Sequence, residues 1–445
     1  MALWGLGREG RAAWRALRAR FPDQPLTVFC PESEHAAAAA LADPRLTVRG
    51  EPDAEALAGF EVVIKSPGIS AYRPELAEAA ARGTQFTSGT ALWFAEQLPG
   101  RKLCLTGTKG KSSTTALIAH LLRGAGRRVG LAGNIGLPLL ELADPPQLPE
   151  VWAIELSSYQ TGDAVAPDVA VVLNLYPEHL DWHGSFERYV ADKLALVTRA
   201  SPGVVVLNHA DARLRELGDT LPGVVWFGRE DGWHLRGEDV FLGDARVFEG
   251  SRLRLPGRHN RLNLCAALAA IEALGEDARP MAEAAARFQG LPHRLHSLGW
   301  RDGVEYIDDS ISTTPEASLA ALASLAGRRV AILLGGFDRG LGWEGVAARM
   351  GDPPPVLAVC RGQNGARIAA TLRLERPELA VSEIADLAEA IAAAASAVGP
   401  GGAVLLSPGA PSFPEFRDYA ERGQRFARLA GLPPATADIA GLGIA

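Results

Sequence analysis

Leu103-Cys-Leu-Thr-Gly107-Thr108-Lys109-Gly110-Lys111-Ser112-Ser113-Thr-Thr-Ala-Leu-Ile118 starts as an apolar run, turns through two glycines and two lysines, and continues as an amphipathic segment. A strand that feeds a glycine-rich turn and then a helix aims backbone N–H groups and the positive end of the helix dipole at one point, where phosphates bind. The glycines Gly107 and Gly110 let the backbone approach a ligand. Thr108 and Lys109 lie in the turn, Lys111 is placed to reach the outer phosphates, and a hydroxyl from Ser112 or Ser113 can ligate magnesium. Leu105 stands where the usual eight-residue pattern has its first glycine, so the strand-turn-helix context carries the nucleotide reading. The chain has no Asn-Lys-x-Asp base-reading motif, which favours ATP over GTP.

The same alternation of short apolar runs and helical segments extends to both ends, the pattern of an α/β chain with mostly parallel sheets. Strands are expected at 61–65, 103–106, 151–156, 169–174, 204–208, 330–334, 356–360 and 404–407, and helices at 114–122 and 262–274. Breaks at Glu96–Arg101 and at Leu291-Pro292 divide the chain into expected domains of 1–98, 99–292 and 293–445. With 445 residues, 47% apolar and 22% charged, the composition is globular. A net charge of -7 excludes sequence-independent grip on nucleic acid, which needs a basic surface. Cys30, Cys104, Cys265 and Cys360 show no disulfide or zinc spacing and read as reduced core residues. The longest uncharged run, 390–414, is broken by glycines and prolines, so no membrane insertion is expected. Without a visible export signal, the chain is expected in the cytoplasm, as a monomer.

Gly5-Leu-Gly7-Arg8-Glu-Gly10 matches a dinucleotide fingerprint. The strand before it is very short, and the second strand ends in Cys30-Pro31 where a nicotinamide enzyme wants an acidic ribose ligand. A Rossmann-like domain holding another nucleotide diphosphate fits better, with Arg8 placed to meet a phosphate. A nicotinamide oxidoreductase remains the alternative for this motif. Ser66-Pro-Gly68-Ile-Ser70 forms a second turn on the same edge. Glu155, closing a strand in Glu155-Leu-Ser157-Ser158-Tyr-Gln160, lies beside the phosphate loop as a hard oxygen ligand for magnesium. Glu178-His179-Leu-Asp181 again follows a strand. Only five lysines occur among 45 basic residues, and of these Lys111 and Lys193 stand out as positions that need an amine.

In order along the chain, these segments resemble the Mur ligase family, the ATP-dependent enzymes that build the peptide stem of peptidoglycan. The resemblance also covers Gly133-Asn134-Ile-Gly136, Tyr189-Val-Ala-Asp-Lys193, Gly257-Arg-His-Asn260-Arg-Leu-Asn263, His293-Arg294 and Asp309-Ser310. It implies a UDP-binding Rossmann-like domain, a central ATPase domain and a C-terminal Rossmann-like domain that takes the amino acid. It further implies that Lys111 bridges the β and γ phosphates, with Ser112 and Glu155 on one magnesium ion. His179 would hold a second magnesium together with Lys193, carbamylated by carbon dioxide. Asn134 would contact the activated carboxylate or γ-phosphate, Asn260 and Asn263 the adenine end, Asp309 the ribose, and His293 and Arg294 the transferring phosphate. A folate polyglutamate synthase and a non-enzymatic ATP switch are remote alternatives.

Within the family, the Glu155-to-Gln160 segment and Leu406-Ser-Pro-Gly-Ala-Pro-Ser412 through Arg422-Gly423 resemble the branch that adds glutamate to UDP-N-acetylmuramoyl-L-alanine. The acceptor contacts implied are Gly7, Arg8, Ser66, Gly68, Ser157, Ser158 and Gln160. Those for glutamate are Ile311, Thr313, Arg339, Ser412, Phe413 and Tyr419. The branch usually has Lys where this chain has Ile311, Lys for Arg339 and Leu for Phe413. Loss of a cation at 311 moves the glutamate carboxylates towards Arg339, Ser412 or Arg417. Asp309-to-Glu316 and Leu3-to-Gly10 resemble a minor branch that adds L-glutamate, whose product a separate epimerase converts. L-glutamate is therefore expected, with D-glutamate as the alternative.

Overall fold

The computed structural model describes residues 1–255 and 257–434. These residues form three β-sheets in two compact units. The first comprises 1–253 and 258–288; the second begins at Gln289 and includes Arg254, Leu255 and Gly257.

Two sheets lie in the first unit. The N-terminal one is all parallel, in the spatial order Leu46–Arg49, Leu26–Phe29, Ala2–Trp4, Val62–Lys65, Gln85–Thr87. Its strand order reverses between Ala2–Trp4 and Val62–Lys65, and ligands enter parallel sheets at such a reversal, beyond the carboxyl ends of the strands. The turns that leave these two strands are Gly5–Gly10 and Ser66–Ser70. Gly5 has φ +90°, and a Cβ there would lie 2.8 Å from Ser66 Oγ, so only glycine lets the two turns meet.

The second sheet has nine strands. Arg101–Thr106 pairs in parallel with Val151–Glu155 on one side and Val169–Val172 on the other. Because all three run the same way, the turn after Thr106, the Glu155 side chain and the segment after Val172 emerge on one edge. Hairpin strands Trp233–Arg236, Asp239–Leu242 and Ala245–Phe248 extend the far side antiparallel. The second unit holds six strands, of which Val304–Asp308, Ala403–Leu406 and Val330–Leu334 lie side by side in parallel. The loops after Asp308, Leu406 and Leu334 therefore share an edge.

Every strand expected from the sequence is present, with ends displaced by up to two residues. The expected strand 169–174 stops at Val172, where Asn174 turns its side chain to the phosphate loop. All four cysteines are buried and free. Among the described residues no helix is long and apolar enough to cross a membrane.

Candidate active site

The phosphate loop is stitched to the neighbouring strand end. Thr108 N–H donates to Asn174 O at 2.9 Å, and Lys109 N–H to Asn174 Oδ1 at 2.8 Å. Thr108 Oγ1 lies 2.7 Å from the Tyr189 hydroxyl, and Lys109 Nζ lies 2.7 Å from Glu178 Oε1. Gly110, with φ +85°, precedes the helix Lys111–Gly124. A Cβ on Gly110 would sit 2.8 Å from Asn263 Oδ1. Asn263 Nδ2 donates to Asn260 Oδ1 at 3.2 Å. Lys111 Nζ bends back to Thr108 O at 3.0 Å, which leaves Ser112 and Ser113 in the first helical turn.

Lys193 lies on the helix Phe186–Thr198 and is 1% exposed. Its amine donates to Gly107 O at 3.0 Å and to Thr106 Oγ1 at 3.5 Å, and sits over the Tyr189 ring. Burial, and then the charge of Lys111, hold its pKa well below the ordinary lysine value. A buried amine with only neutral partners favours the uncharged form. Glu155 is fully buried. Its Oε1 accepts from Asn134 Nδ2 at 2.8 Å, while Oε2 has no hydrogen-bond partner among the described residues. An orphaned buried carboxylate oxygen is costly unless a cation or donor meets it. His179, exposed and with φ +55°, lies 3.9 Å from Glu178. Partial burial lowers its pKa, which favours the neutral imidazole that a metal requires.

A cavity of about 500 Å³ opens where the two sheets of the first unit meet. It is lined by Gly7, Arg8, Ser66 and Gly68 from the N-terminal turns and by Asn134, Ser157 and Gln160 from the central sheet. Arg8 reaches across, its guanidinium donating to Gly133 O at 3.2 Å and Asn134 O at 3.4 Å. Ser158 is buried behind this wall, bonded to His183, and Tyr159 faces the cavity instead. Glu34 and Glu51 also line it. Sequence reading missed both. The rule that looks for an acid directly after the second strand finds Pro31, whereas these acids come one helical turn later and from the end of the third strand.

In the second unit, His293 Nδ1 lies 2.7 Å from buried Asp308 Oδ2, and Tyr419 packs its ring edge against His293. The Nε of Arg294 is buried without a hydrogen-bond partner among the described residues. Asp309 is spent on its own unit: Oδ1 accepts from Leu295 N–H at 3.1 Å and Oδ2 from the hydroxyls of Ser312 and Ser407. Burial pushes its pKa up to about 6. A ribose contact from Asp309 requires one of these bonds to be released. The three edge loops carry Ile311 and Thr313, Arg339, and Ser412 and Phe413. Phe413 packs at a tilt against Phe337, ring centroids 4.6 Å apart, Arg339 is exposed, and Ser412 is buried. Buried Arg422 ties two of the loops, donating to Ser310 O and Ala410 O at 2.8 and 3.0 Å.

Two family models match the chain: the Mur ligase middle domain over residues 105–271 and the Mur ligase, glutamate ligase domain over 293–409. A protein of Xanthomonas campestris pv. campestris named UDP-N-acetylmuramoyl-L-alanine--L-glutamate ligase is 56% identical, over 100% of this chain and 98% of its own length. A protein of the same name from a Micromonospora strain is 40% identical over 92% of this chain and 91% of its own. Among solved structures, UDP-N-acetylmuramate-alanine ligase from Thermotoga maritima aligns with TM-score 0.62 at 19% identity, covering 97% of this chain and 98% of its own. MurF ligase from Thermotoga maritima, in complex with ADP, aligns with TM-score 0.56 at 17% identity, covering 91% and 94%. At such identities the two structures speak to the fold.

Proposed function

The chain belongs to the Mur ligase family, and from that premise we propose that it joins glutamate to UDP-N-acetylmuramoyl-L-alanine with ATP, preferring L-glutamate. The single observation that carries the reading is the chain Arg8–Asn134–Glu155. It runs from the acceptor turn to the orphaned carboxylate beside the phosphate loop, so an acceptor in the cavity presents its carboxylate where ATP ends.

A carboxylate is a poor acyl donor. Its oxygen attacks the γ-phosphorus, the bond to the ADP oxygen breaks, and the resulting acyl phosphate is attacked by the glutamate amine, with loss of phosphate and a proton. Phosphoryl transfer is limited by charge and alignment. Lys111 and the backbone N–H groups of 107–113 hold the β and γ phosphates, Asn134 orients the acceptor carboxylate, and His293 and Arg294 act on the transferring group. Asn260 and Asn263 serve the adenine end, and Asp309 the ribose.

Glu155 Oε2 and the donor set around it fit magnesium, which prefers hard oxygens. Ser112 and Glu155 would hold one ion, and His179 and Lys193 the second. When bound, these ions neutralise charge developing on the phosphates. A second ion would want a further anionic oxygen beside the His179 imidazole. Lys193 supplies it: the neutral Nζ attacks carbon dioxide, a C–N bond forms and one proton leaves, giving a carbamate.

Support for L-glutamate comes from Ile311 in place of a cation and from the names of the full-length relatives. An L-linked product leaves inversion at that centre to a separate epimerase. The domains we assign are 1–98, 99–292 and 293–445, with UDP held by the first, and the enzyme acts as a cytoplasmic monomer. Phosphate release from ATP tests the reading: it is expected only when both the UDP-acceptor and glutamate are present. Release with either one alone would overturn it.

A further inference from the structure

Three of the four segments that offer a candidate metal ligand, those of Glu155, His179 and Lys193, also contribute one residue each to a second polar chain centred on buried His183. Ser158 follows Glu155 by three residues, His183 follows His179 by four, and Asp192 directly precedes Lys193. Ser158 Oγ lies 2.9 Å from His183 Nε2, and His183 Nδ1 lies 2.6 Å from Asp192 Oδ2. His183 is fully buried and Ser158 nearly so. The Asp192 carboxylate can only accept, so Nδ1 carries the proton and Nε2 accepts from the serine hydroxyl. Thr161 Oγ1 donates to Asp192 O at 2.6 Å.

The N-terminal sheet closes the chain. The Tyr72 hydroxyl lies 2.8 Å from both Asp192 carboxylate oxygens. Its ring meets Trp182 edge-on at 5.8 Å. Trp182 Nε1 donates to Pro67 O at 3.1 Å, and Ser70 Oγ donates to Trp182 O at 2.7 Å. The turn 66–70 is the one that lines the acceptor cavity. A serine, histidine and carboxylate in series also suggest a nucleophilic triad, but burial leaves the Ser158 hydroxyl no path to a substrate.

We infer that His183, with Ser158 and Asp192, is a positioning residue that holds the Glu155, His179 and Lys193 segments in register for the divalent ions. The inference rests on the metal assignment proposed above. The geometry explains why one imidazole suffices. It is rigid, it presents a donor and an acceptor on opposite edges, and it is hydrogen-bonded to both flanking segments. A side chain that only filled space there would take from the buried Ser158 hydroxyl its bond to His183.

The test titrates Mn²⁺ into the full chain with a non-hydrolysable ATP analogue and reads free manganese by electron paramagnetic resonance. His183→Phe and Ser158→Ala are expected to weaken the weaker of two manganese sites at least tenfold. His183→Gln, which keeps a donor and an acceptor, is expected to stay within threefold of wild type, and calorimetric affinity for the UDP-acceptor should hold in all variants. If His183→Phe does not fold, Ser158→Ala decides. Wild-type-like manganese binding in the variant that decides overturns the inference alone. So does equal loss in His183→Gln and His183→Phe, which marks a merely structural role. Wild type that binds no manganese with the analogue overturns the metal assignment and the inference together.

Discussion

Asn134 Nδ2 lies 2.8 Å from Glu155 Oε1, and this bond leaves the other oxygen of a fully buried carboxylate without a partner among the described residues. Folding has retained an unpaired buried group that costs on the order of 1–3 kcal/mol. Glu155→Gln should therefore unfold no more easily than wild type in the absence of nucleotide. The same change should lower ligation at least about 100-fold, about 2.7 kcal/mol of transition-state stabilisation. Thermal melting beside steady-state turnover checks both halves. A variant that is less stable yet active contradicts the role given to the orphaned oxygen.

Lys193→Ala should abolish ligation, and a short carboxylate such as acetate should restore part of it by replacing the carbamate. Retention of more than about a tenth of the wild-type rate, a cost under about 1.4 kcal/mol, would show that no carbamate is needed.

Arg8→Ala removes the reach from the acceptor turn to Gly133 O and Asn134 O. The KM for the UDP-acceptor should rise about tenfold or more while ATP-analogue affinity stays unchanged, because the phosphate loop is held by its own contacts to Asn174 and Tyr189. Equal loss of both affinities in calorimetry would contradict this division.

Much of this was legible in sequence because strand, turn and helix signals are local. Thr106-to-Ser113 follows an apolar run, Glu155 ends one and the segment carrying His179 leaves another, and parallel pairing brings such ends to one edge. What could not be read depends on pairs distant in sequence. Tyr72 meets Asp192 across 120 residues, and Arg8 meets Asn134 across 126. Ser158 reads as a neighbour of Ser157, but successive residues point apart, and only the fold shows it turning to His183. The antiparallel hairpins at 233–248 and 296–308 escaped because their strands mix charged and polar residues with apolar ones, as His296-Ser-Leu-Gly-Trp-Arg301 does.

Asp309 is held at a pKa of about 6 by burial, above its ordinary value of about 3.9. Between these values the folded state binds more protons than the unfolded state, so its contribution to stability is present in acid and is lost as pH rises through 6. The loss is at most about 3 kcal/mol, at 1.36 kcal/mol per pKa unit. Asp309→Asn should flatten that part of the profile. Denaturant unfolding at pH 4 and pH 7 reads the difference, and an unchanged pH slope would contradict it.

Ile311→Lys restores a cation beside the expected glutamate contacts. A hydrogen bond to a charged group contributes about 1.5–3 kcal/mol, so the ratio of D- to L-glutamate use should rise about 10- to 100-fold. An unchanged ratio would place the side-chain carboxylate elsewhere.

The most direct test of the central claim is ligation by the wild-type enzyme of enantiopure L- and D-glutamate to UDP-N-acetylmuramoyl-L-alanine. The account predicts a higher kcat/KM for L-glutamate, with one phosphate released per product; a higher kcat/KM for D-glutamate would contradict it.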